Sequence, residues 1–245
     1  KVIGDGIGSV GDDLSLVSDG SIVNFGVNSE ISLTHVHNSG LTLASSVGAT
    51  TFKIGRAGAT DAKVIFDGNA QNYHIGVDDT NDSLVIGLGD TLGTTDSMVI
   101  DASGAVTKPL QPAFMVKHSD VQSNVANAAT LTWDTEIFDQ NADFASNTFT
   151  SPVTGRYHIS YSLYFENIDN DATAVYIITK LSNREIYNIF DPQAYDLTLT
   201  NHTLNFSMLV DMDANDTAFL KFYQAGGTLG ADKNTNSYFS GYLVA

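Results

Sequence analysis

The residues best suited to hold a metal ion in the N-terminal half are His35 and His37, which one residue separates. Alternate residues of a strand point to the same side, so we expect both imidazoles to continue the apolar face that Ile31 and Leu33 begin. In a threefold assembly they would place six imidazoles about the axis, a set that suits zinc, iron, nickel or copper. The sequence therefore predicts an axial transition-metal site; the alternative is two buried histidines bonded to backbone or water.

A second candidate metal site lies at residues 211–216, where the D-x-D-x-N spacing is that of a calcium loop. The candidate ligands are the carboxylates of Asp211, Asp213 and Asp216. The segment departs from a complete calcium loop because Asp216 stands where the sharp turn needs Gly, and Phe222 stands where a bidentate Glu belongs. The alternative is a turn whose Asp and Asn side chains bond to their own backbone.

Aromatic side chains in and beside a long polar loop, predicted at residues 183–201, form the candidate recognition site. Tyr187, Phe190 and Tyr195 would give rigid, amphipathic contact area to a glycan or a protein. The alternative for each is packing, since half-buried tyrosines are common at subunit interfaces. Because ligand contacts concentrate on loops that a rigid scaffold positions, we predict receptor binding at these three residues.

No residue pattern predicts catalysis. The chain has no cysteine, so it has neither disulfides nor thiolate chemistry. The motifs G-x-S-x-G and H-E-x-x-H do not occur, and the Gly-rich segment at residues 4–8 precedes no helix, so it is not a phosphate loop. Carboxylates are abundant but form no recognisable acid and base pair. We therefore predict a protein that is not an enzyme, with metal ions as its only candidate cofactors.

Composition and charge exclude two classes of partner. The 28 acidic and 11 basic side chains give a net charge of −17, which opposes binding to nucleic acid. No segment approaches the roughly 20 apolar residues that a membrane helix needs, so we predict no membrane insertion. The sequence begins at Lys1 without a signal peptide, and we expect that an N-terminal anchoring region once preceded it.

The elements that must position these residues are strands. In the C-terminal half, Tyr157, Ile159, Tyr161, Leu163 and Phe165 alternate with polar residues, which is the period of a strand with one face in a core. The same alternation recurs at residues 175–178, 204–210, 219–223 and 238–244. Short strands separated by Asn, Asp and Gly, without a helical period, indicate an all-β sandwich or barrel.

These strands also carry a family resemblance that covers about residues 112–245. The pattern resembles the globular C1q domain, the jelly roll shared with the tumour necrosis factor superfamily, at Phe138-Asp139, Asn141, Phe144, Phe149-Thr150, Pro152, Gly155, Tyr157, Leu209-Val210-Asp211, Phe219-Leu220 and 238–243. The segment 211–216 departs from the family pattern, which has a tighter Gly-Asp turn. The resemblance implies a compact homotrimer that binds through its loops and outer face, and some C1q-like trimers bind calcium at surface loops.

The N-terminal half, residues 1–107, contains very short apolar runs that predict seven strands, at 22–25, 31–34, 41–43, 64–66, 73–75, 84–86 and 98–100. Such strands are too short to close a core within one chain, whereas three chains wound together could do so. Residues 14–20 followed by 31–41, and residues 73–79 up to 100–104, resemble shaft segments of marine bacteriophage structural proteins. Two prolines in residues 108–112 predict a stiff link to the head, residues 113–245.

Together these features predict a homotrimeric bacteriophage fibre, with a β-rich shaft and a C1q-like head that binds a host-surface glycan or protein for adsorption. Other virion proteins would hold it through the missing N-terminal region, so the predicted location is the virion surface. One alternative is a capsid or decoration fibre without a receptor role. Another is a polysaccharide-degrading tailspike, for which a long regular β-helix with carboxylates in a cleft would be expected.

Overall fold

The computed structural model describes residues 18–38, 40–56, 58–195, 197, 199–228 and 230–245. Within these ranges the chain is built from β-strands, with one short 3-10 turn at Pro192–Ala194, and the all-β prediction is confirmed. The Gly-rich segment at 4–8 and residues 14–17 of the shaft-like stretch lie outside the described ranges. No helix within them is long and apolar enough to cross a membrane. The chain divides into two compact units between Gly58 and Ala59.

The first unit contains a three-stranded antiparallel meander in the order β1-β2-β3. Its strands are β1 (Ile22–Phe25), β2 (Ile31–Val36) and β3 (Gly40–Ser45). The turn between β1 and β2 uses left-handed backbone at Gly26 (φ 90°) and Ser29 (φ 55°). None of the residues described in this unit is buried, so a single copy encloses no core.

The second unit begins with a five-stranded antiparallel meander in the order β4-β5-β6-β7-β8. Its strands are β4 (Ala62–Phe66), β5 (Tyr73–Asp78), β6 (Ser83–Leu88), β7 (Asp96–Ile100) and β8 (Val106–Thr107). Alternate side chains of β5 and β6 are buried and exposed, as the period of a strand requires. The strands β1 to β7 of the two meanders include all seven short strands predicted for residues 1–107.

The rest of the second unit is a sandwich of two antiparallel sheets, here called the sandwich. One sheet has the order β10-β9-β19-β13-β16, with β18 pairing with β13, and the other has the order β11-β12-β17-β14-β15. The strands are β9 (Ala113–Lys117), β10 (Thr135–Gln140), β11 (Phe144–Ala145), β12 (Thr148–Thr150), β13 (Gly155–Glu166), β14 (Ala172–Leu181), β15 (Glu185–Phe190), β16 (His202–Met212), β17 (Thr217–Gly226), β18 (Asp232–Lys233) and β19 (Tyr238–Leu243).

The core of the sandwich lies between its two sheets. The five alternating residues of β13, from Tyr157 to Phe165, are all buried, which confirms the predicted inward face. Across the core, β14 contributes Val175 and Ile177, and β17 contributes residues that include Phe222, whose ring lies 5.2 Å from that of Phe165. Both sheets therefore bury one face against the other and leave the second face to solvent or to partners.

Candidate functional site

Three tyrosines stand side by side on the outer face of the sheet β11-β12-β17-β14-β15. Tyr176 of β14 lies between the buried Val175 and Ile177, so its side chain points away from the core. The strand register pairs Tyr176 with Ile189 of β15 on one side and with Tyr223 of β17 on the other. The ring of Tyr176 meets that of Tyr223 edge-on, with centroids 5.4 Å apart.

Tyr187 and two isoleucines complete this surface. The ring of Tyr187 lies 6.3 Å from that of Tyr176, also edge-on, and Ile178 is directly opposite Tyr187 in the neighbouring strand. Tyr187 and Ile189 are each about half exposed, at 48% and 55%. We call this surface the tyrosine patch; it consists of Tyr176, Ile178, Tyr187, Ile189 and Tyr223.

An ion pair at one edge of the tyrosine patch fixes the orientation of a tyrosine. Lys180 donates to one carboxylate oxygen of Glu185, and the hydroxyl of Tyr187 donates to the other. The hydrogen bond from Lys180 lowers the pKa of Glu185, and the bond to Glu185 raises the pKa of Tyr187. The carboxylate therefore stays ionised and the phenol neutral, so the ring presents a fixed, uncharged face.

The other two predicted recognition residues belong to a separate cluster around His202. The imidazole ring lies 4.5 Å from the ring of Phe190 and 5.9 Å from that of Tyr195. Phe190 packs against the core, whereas Tyr195 is 44% exposed. Burial lowers the pKa of His202, which favours the neutral imidazole in this aromatic setting. The structure thus brings Phe190 and Tyr195 together and sets them apart from Tyr187.

Tyr176 and His202 belong to these two clusters but are not among the recognition residues predicted from the sequence. The signal for Tyr176 was its position between two aliphatic residues of an alternating strand, since the residue between two inward positions must face outward. Phe190 and Tyr187 are an odd number of residues apart on β15, which places their side chains on opposite faces. The strand parity therefore separates a packing residue from a surface residue.

The two histidines of the predicted axial metal site do not share a strand face. β2 ends at Val36, and His37 lies in the following turn, where Asn38 takes a left-handed conformation (φ 57°). Nδ1 of His37 is 3.0 Å from a carboxylate oxygen of Asp19, and both His35 and His37 are exposed within one chain. The expectation of an inward, apolar setting is thus wrong for a single copy. Metal binding between three copies stays a prediction, which chelation followed by a melt of the assembled protein would test.

The three carboxylates of the predicted calcium site divide between a strand and a turn. Asp211 lies in β16 and pairs with Arg184. Asp216 accepts a hydrogen bond of 2.9 Å from the backbone N–H of Asp213, so its carboxylate is used to close this turn. In the described part of one chain, no three His, Cys, Asp or Glu side chains are grouped closely enough to hold a metal ion. Calcium binding at this segment stays a prediction.

Comparison with known proteins places this sandwich in a family. The globular domain of a zebrafish complement 1qA protein is similar to this chain at 15% identity and a TM-score of 0.43, over 55% of this chain and 98% of that one. A crystal structure of murine APRIL is similar at 8% identity and a TM-score of 0.41, over 55% of this chain and 99% of that one. No curated protein matches. The C1q domain profile matches residues 113–244, more than half of the sequence, and the chain therefore belongs to the C1q domain family.

Proposed function

We propose that this chain is a homotrimeric bacteriophage fibre protein, not an enzyme, whose C-terminal domain binds a host-surface glycan or protein for adsorption. C1q and TNF domains commonly form homotrimers and are generally non-enzymatic. C1q domain proteins are typically extracellular or secreted. These properties support a head at residues 113–245 on the outside of a particle, joined by residues 108–112 to a shaft at residues 1–107.

The tyrosine patch is the observation that carries the binding role. The side chains of the patch lie on the outer face of the sheet, whereas the core is formed by the inward residues of the same strands, such as Val175 and Ile177. Tyrosine supplies large contact area while ordering only two side-chain torsions, which is why binding surfaces are enriched in it. Three tyrosines and two isoleucines on one rigid sheet therefore form a prepared contact surface, with the Lys180 and Glu185 pair at its edge.

Competition for adsorption tests this proposal. The purified head, residues 113–245, should block adsorption of the particle to its host cells. A head carrying Tyr176→Ala and Tyr187→Ala should lose this effect by roughly tenfold or more, since central aromatic contacts cost about 2 kcal/mol or more when truncated. Val153→Ala, an exposed apolar side chain outside both aromatic clusters, is the matched control.

Two further arms decide which surface binds and whether any does. Tyr195→Ala tests the cluster around His202; if only this variant fails to compete, the receptor site lies there and the role of the tyrosine patch is contradicted. A native head that assembles but never competes would instead support the alternative of a purely structural capsid or decoration fibre. Digestion of the host polysaccharide by the full chain would support the tailspike alternative.

A further inference from the structure

The sheet β4–β8 has one face made entirely of apolar side chains. Directly opposite residues of antiparallel strands lie on the same face, and the register places twelve residues there. We call this the open face; it consists of Ala62, Val64, Phe66, Tyr73, Ile75, Val77, Leu84, Ile86, Leu88, Met98, Ile100 and Val106. Seven of the twelve are more than a third exposed, from Ile75 at 36% to Phe66 at 60%. This is the face that a soluble sheet normally buries.

The opposite face of the same sheet carries the polar residues of β5 and β6, and the chain covers its middle. His74, Asp78 and Ser83 are at most 5% exposed, and Val85 is fully buried. The connection between β6 and β7 lies over them, with Nδ1 of His74 2.9 Å from the carbonyl oxygen of Gly89. The sheet is therefore inverted within the second unit: the chain covers the polar side over β5 and β6, while β4 stays partly exposed there, and it leaves most of the apolar side exposed.

The size of the open face restricts what could cover it. Four of the strands have five or six residues and β8 has two, so a rise of about 3.3 Å per residue and a spacing of about 4.8 Å between strands give an area of roughly 380 Å². That area is as large as the largest apolar patch on many monomers, yet it is below the roughly 800 Å² per partner of a stable independent interface. A partner that had only this face to bind would associate weakly. The occupant should therefore be a molecule already held nearby by another contact.

A second copy of the chain meets that condition. Only five residues, 108–112, separate β8 from β9, and they span at most about 18 Å. A trimeric head would thus hold three open faces close together, at an effective concentration in the millimolar range. The face carries no charged residue, so copies can approach there although each chain has a net charge of −17. We propose that the open faces of three copies pack on one another around the trimer axis, an inference that rests on the homotrimer of the proposed function.

A thiol placed on each face tests this inference in the full chain, which has no cysteine of its own. Ile86 lies at the centre of the open face, and Ile65 lies on the other face, opposite His74. The two side chains are almost equally exposed within one chain, at 41% and 39%. The Ile86→Cys and Ile65→Cys variants are thus a matched pair, because a lone chain would let both thiols react with maleimide at similar rates.

If the open faces pack together, the Ile86→Cys thiol should react with maleimide at least about tenfold more slowly than the Ile65→Cys thiol. A short bismaleimide should join the Ile86→Cys thiol to a second chain. The Ile65→Cys thiol should react freely and remain uncrosslinked. Equal reaction rates without crosslinks between chains would overturn the proposal. Protection of Ile86→Cys that disappears when residues 1–58 are deleted would assign the face to the first unit and would also overturn it.

Sedimentation of the isolated head separates this inference from the proposed function. A trimeric head together with an unprotected Ile86→Cys thiol would remove the packed open faces and leave the homotrimer standing. A head that stays monomeric at micromolar concentration would remove both. Far-UV circular dichroism that matches the unmodified chain shows that each cysteine variant has folded, so slow or fast reaction reports on packing.

Discussion

The sandwich and the sheet β4–β8 use the same alternation of apolar and polar residues, yet only the sandwich encloses its apolar side. In the sandwich, Phe114 is fully buried among the rings of Phe144, Phe149 and Phe239. In the sheet β4–β8, Ile86 sits at the centre of an equally apolar face and is 41% exposed. Alternation thus identifies residues that share a face, whereas a second layer decides whether one chain covers that face.

Truncating one side chain in each region should give the largest difference in stability between the sandwich and the sheet β4–β8. Phe114→Ala should lower the free energy of unfolding of the isolated head by about 3–5 kcal/mol, because it leaves a cavity among three rings. Ile86→Ala should lower the stability of a dissociated chain by no more than about 1 kcal/mol, the span of strand preferences at partly exposed positions. Urea melts of both variants check this, and a large loss for Ile86→Ala in a monomeric chain would contradict an open face.

Buried charge provides a second contrast, since the open face carries none and the sandwich holds Lys233 fully buried. The ammonium donates to the carbonyl of Thr132 at 2.9 Å and lies 4.1 Å from the Trp133 ring centroid. Burial lowers the pKa of Lys233 from 10.5 to about 8. Between these values the unfolded chain keeps a proton that the folded chain has lost, so stability should rise with pH, by roughly 3 kcal/mol over the window.

The matched variant is Lys233→Met, which keeps the length of the side chain and cannot titrate. Subtracting its stability from that of the native head at each pH between 8 and 10.5 should isolate the rise due to Lys233. Other groups that titrate in this window, such as the tyrosines, cancel in the subtraction. Parallel stability curves for the two proteins would show that Lys233 is not held in an environment that disfavours its charge.

Close packing in the sandwich predicts a smaller effect at Gly241 of β19. A Cβ there would lie 2.7 Å from Cδ1 of Ile159, 2.8 Å from Cε1 of Phe114 and 3.1 Å from the backbone oxygen of His158. Gly241→Ala should destabilise the head by about 1–3 kcal/mol through overpacking. Gly230→Ala, where a Cβ meets nothing within 4 Å, is the control and should be close to neutral in the same thermal melt. Equal melting temperatures would contradict the tight contact between these strands.

The smallest predicted effect is on the stability of the head at low pH. Asp134 accepts hydrogen bonds from the hydroxyl and the backbone N–H of Ser119, at 2.6 and 2.7 Å. These bonds, the hydroxyl first, lower the pKa of Asp134 from 3.8 to about 2. The stability that ionised Asp134 gives to the fold is therefore fully present above pH 3.8 and is lost as the pH falls from 3.8 to about 2. Asp134→Asn should lose a small amount of stability at pH 7 and become less sensitive to acid, as melts at pH 2 to 5 would reveal.

The strands and the family of the C-terminal half could be predicted because their signals are local. The alternation from Tyr157 to Phe165 fixed an inward face, and the aromatic and turn residues between Phe138 and Tyr157 carried the C1q pattern. The pairing of β4–β8 into one sheet depends on contacts between distant segments, which no local period encodes. The side of that sheet that its own loop covers follows from tertiary packing around His74.

The candidate sites were less predictable because small shifts in strand ends change which way a side chain points. The alternation that grouped His35 with His37 fails since the strand stops at Val36. The spacing groups Asp211 with Asp213, but β16 ends at Met212, so Asp211 lies in the strand and Asp213 lies in the turn that follows. Tyr187 and Phe190 lie in β15 and not in the predicted loop at 183–201, and the neighbours Tyr176 and Tyr223 come from strands that only the folded sheet brings beside Tyr187.

The position of Trp133 has an optical consequence. It is the only tryptophan of the chain, and it is 7% exposed in the core of the sandwich. Tryptophan emission therefore reports the unfolding of the sandwich alone. The sheet β4–β8 contains a tyrosine, Tyr73, but no tryptophan, so it does not contribute to emission excited selectively from tryptophan. Emission and circular dichroism recorded during one melt would resolve the two regions without any added label.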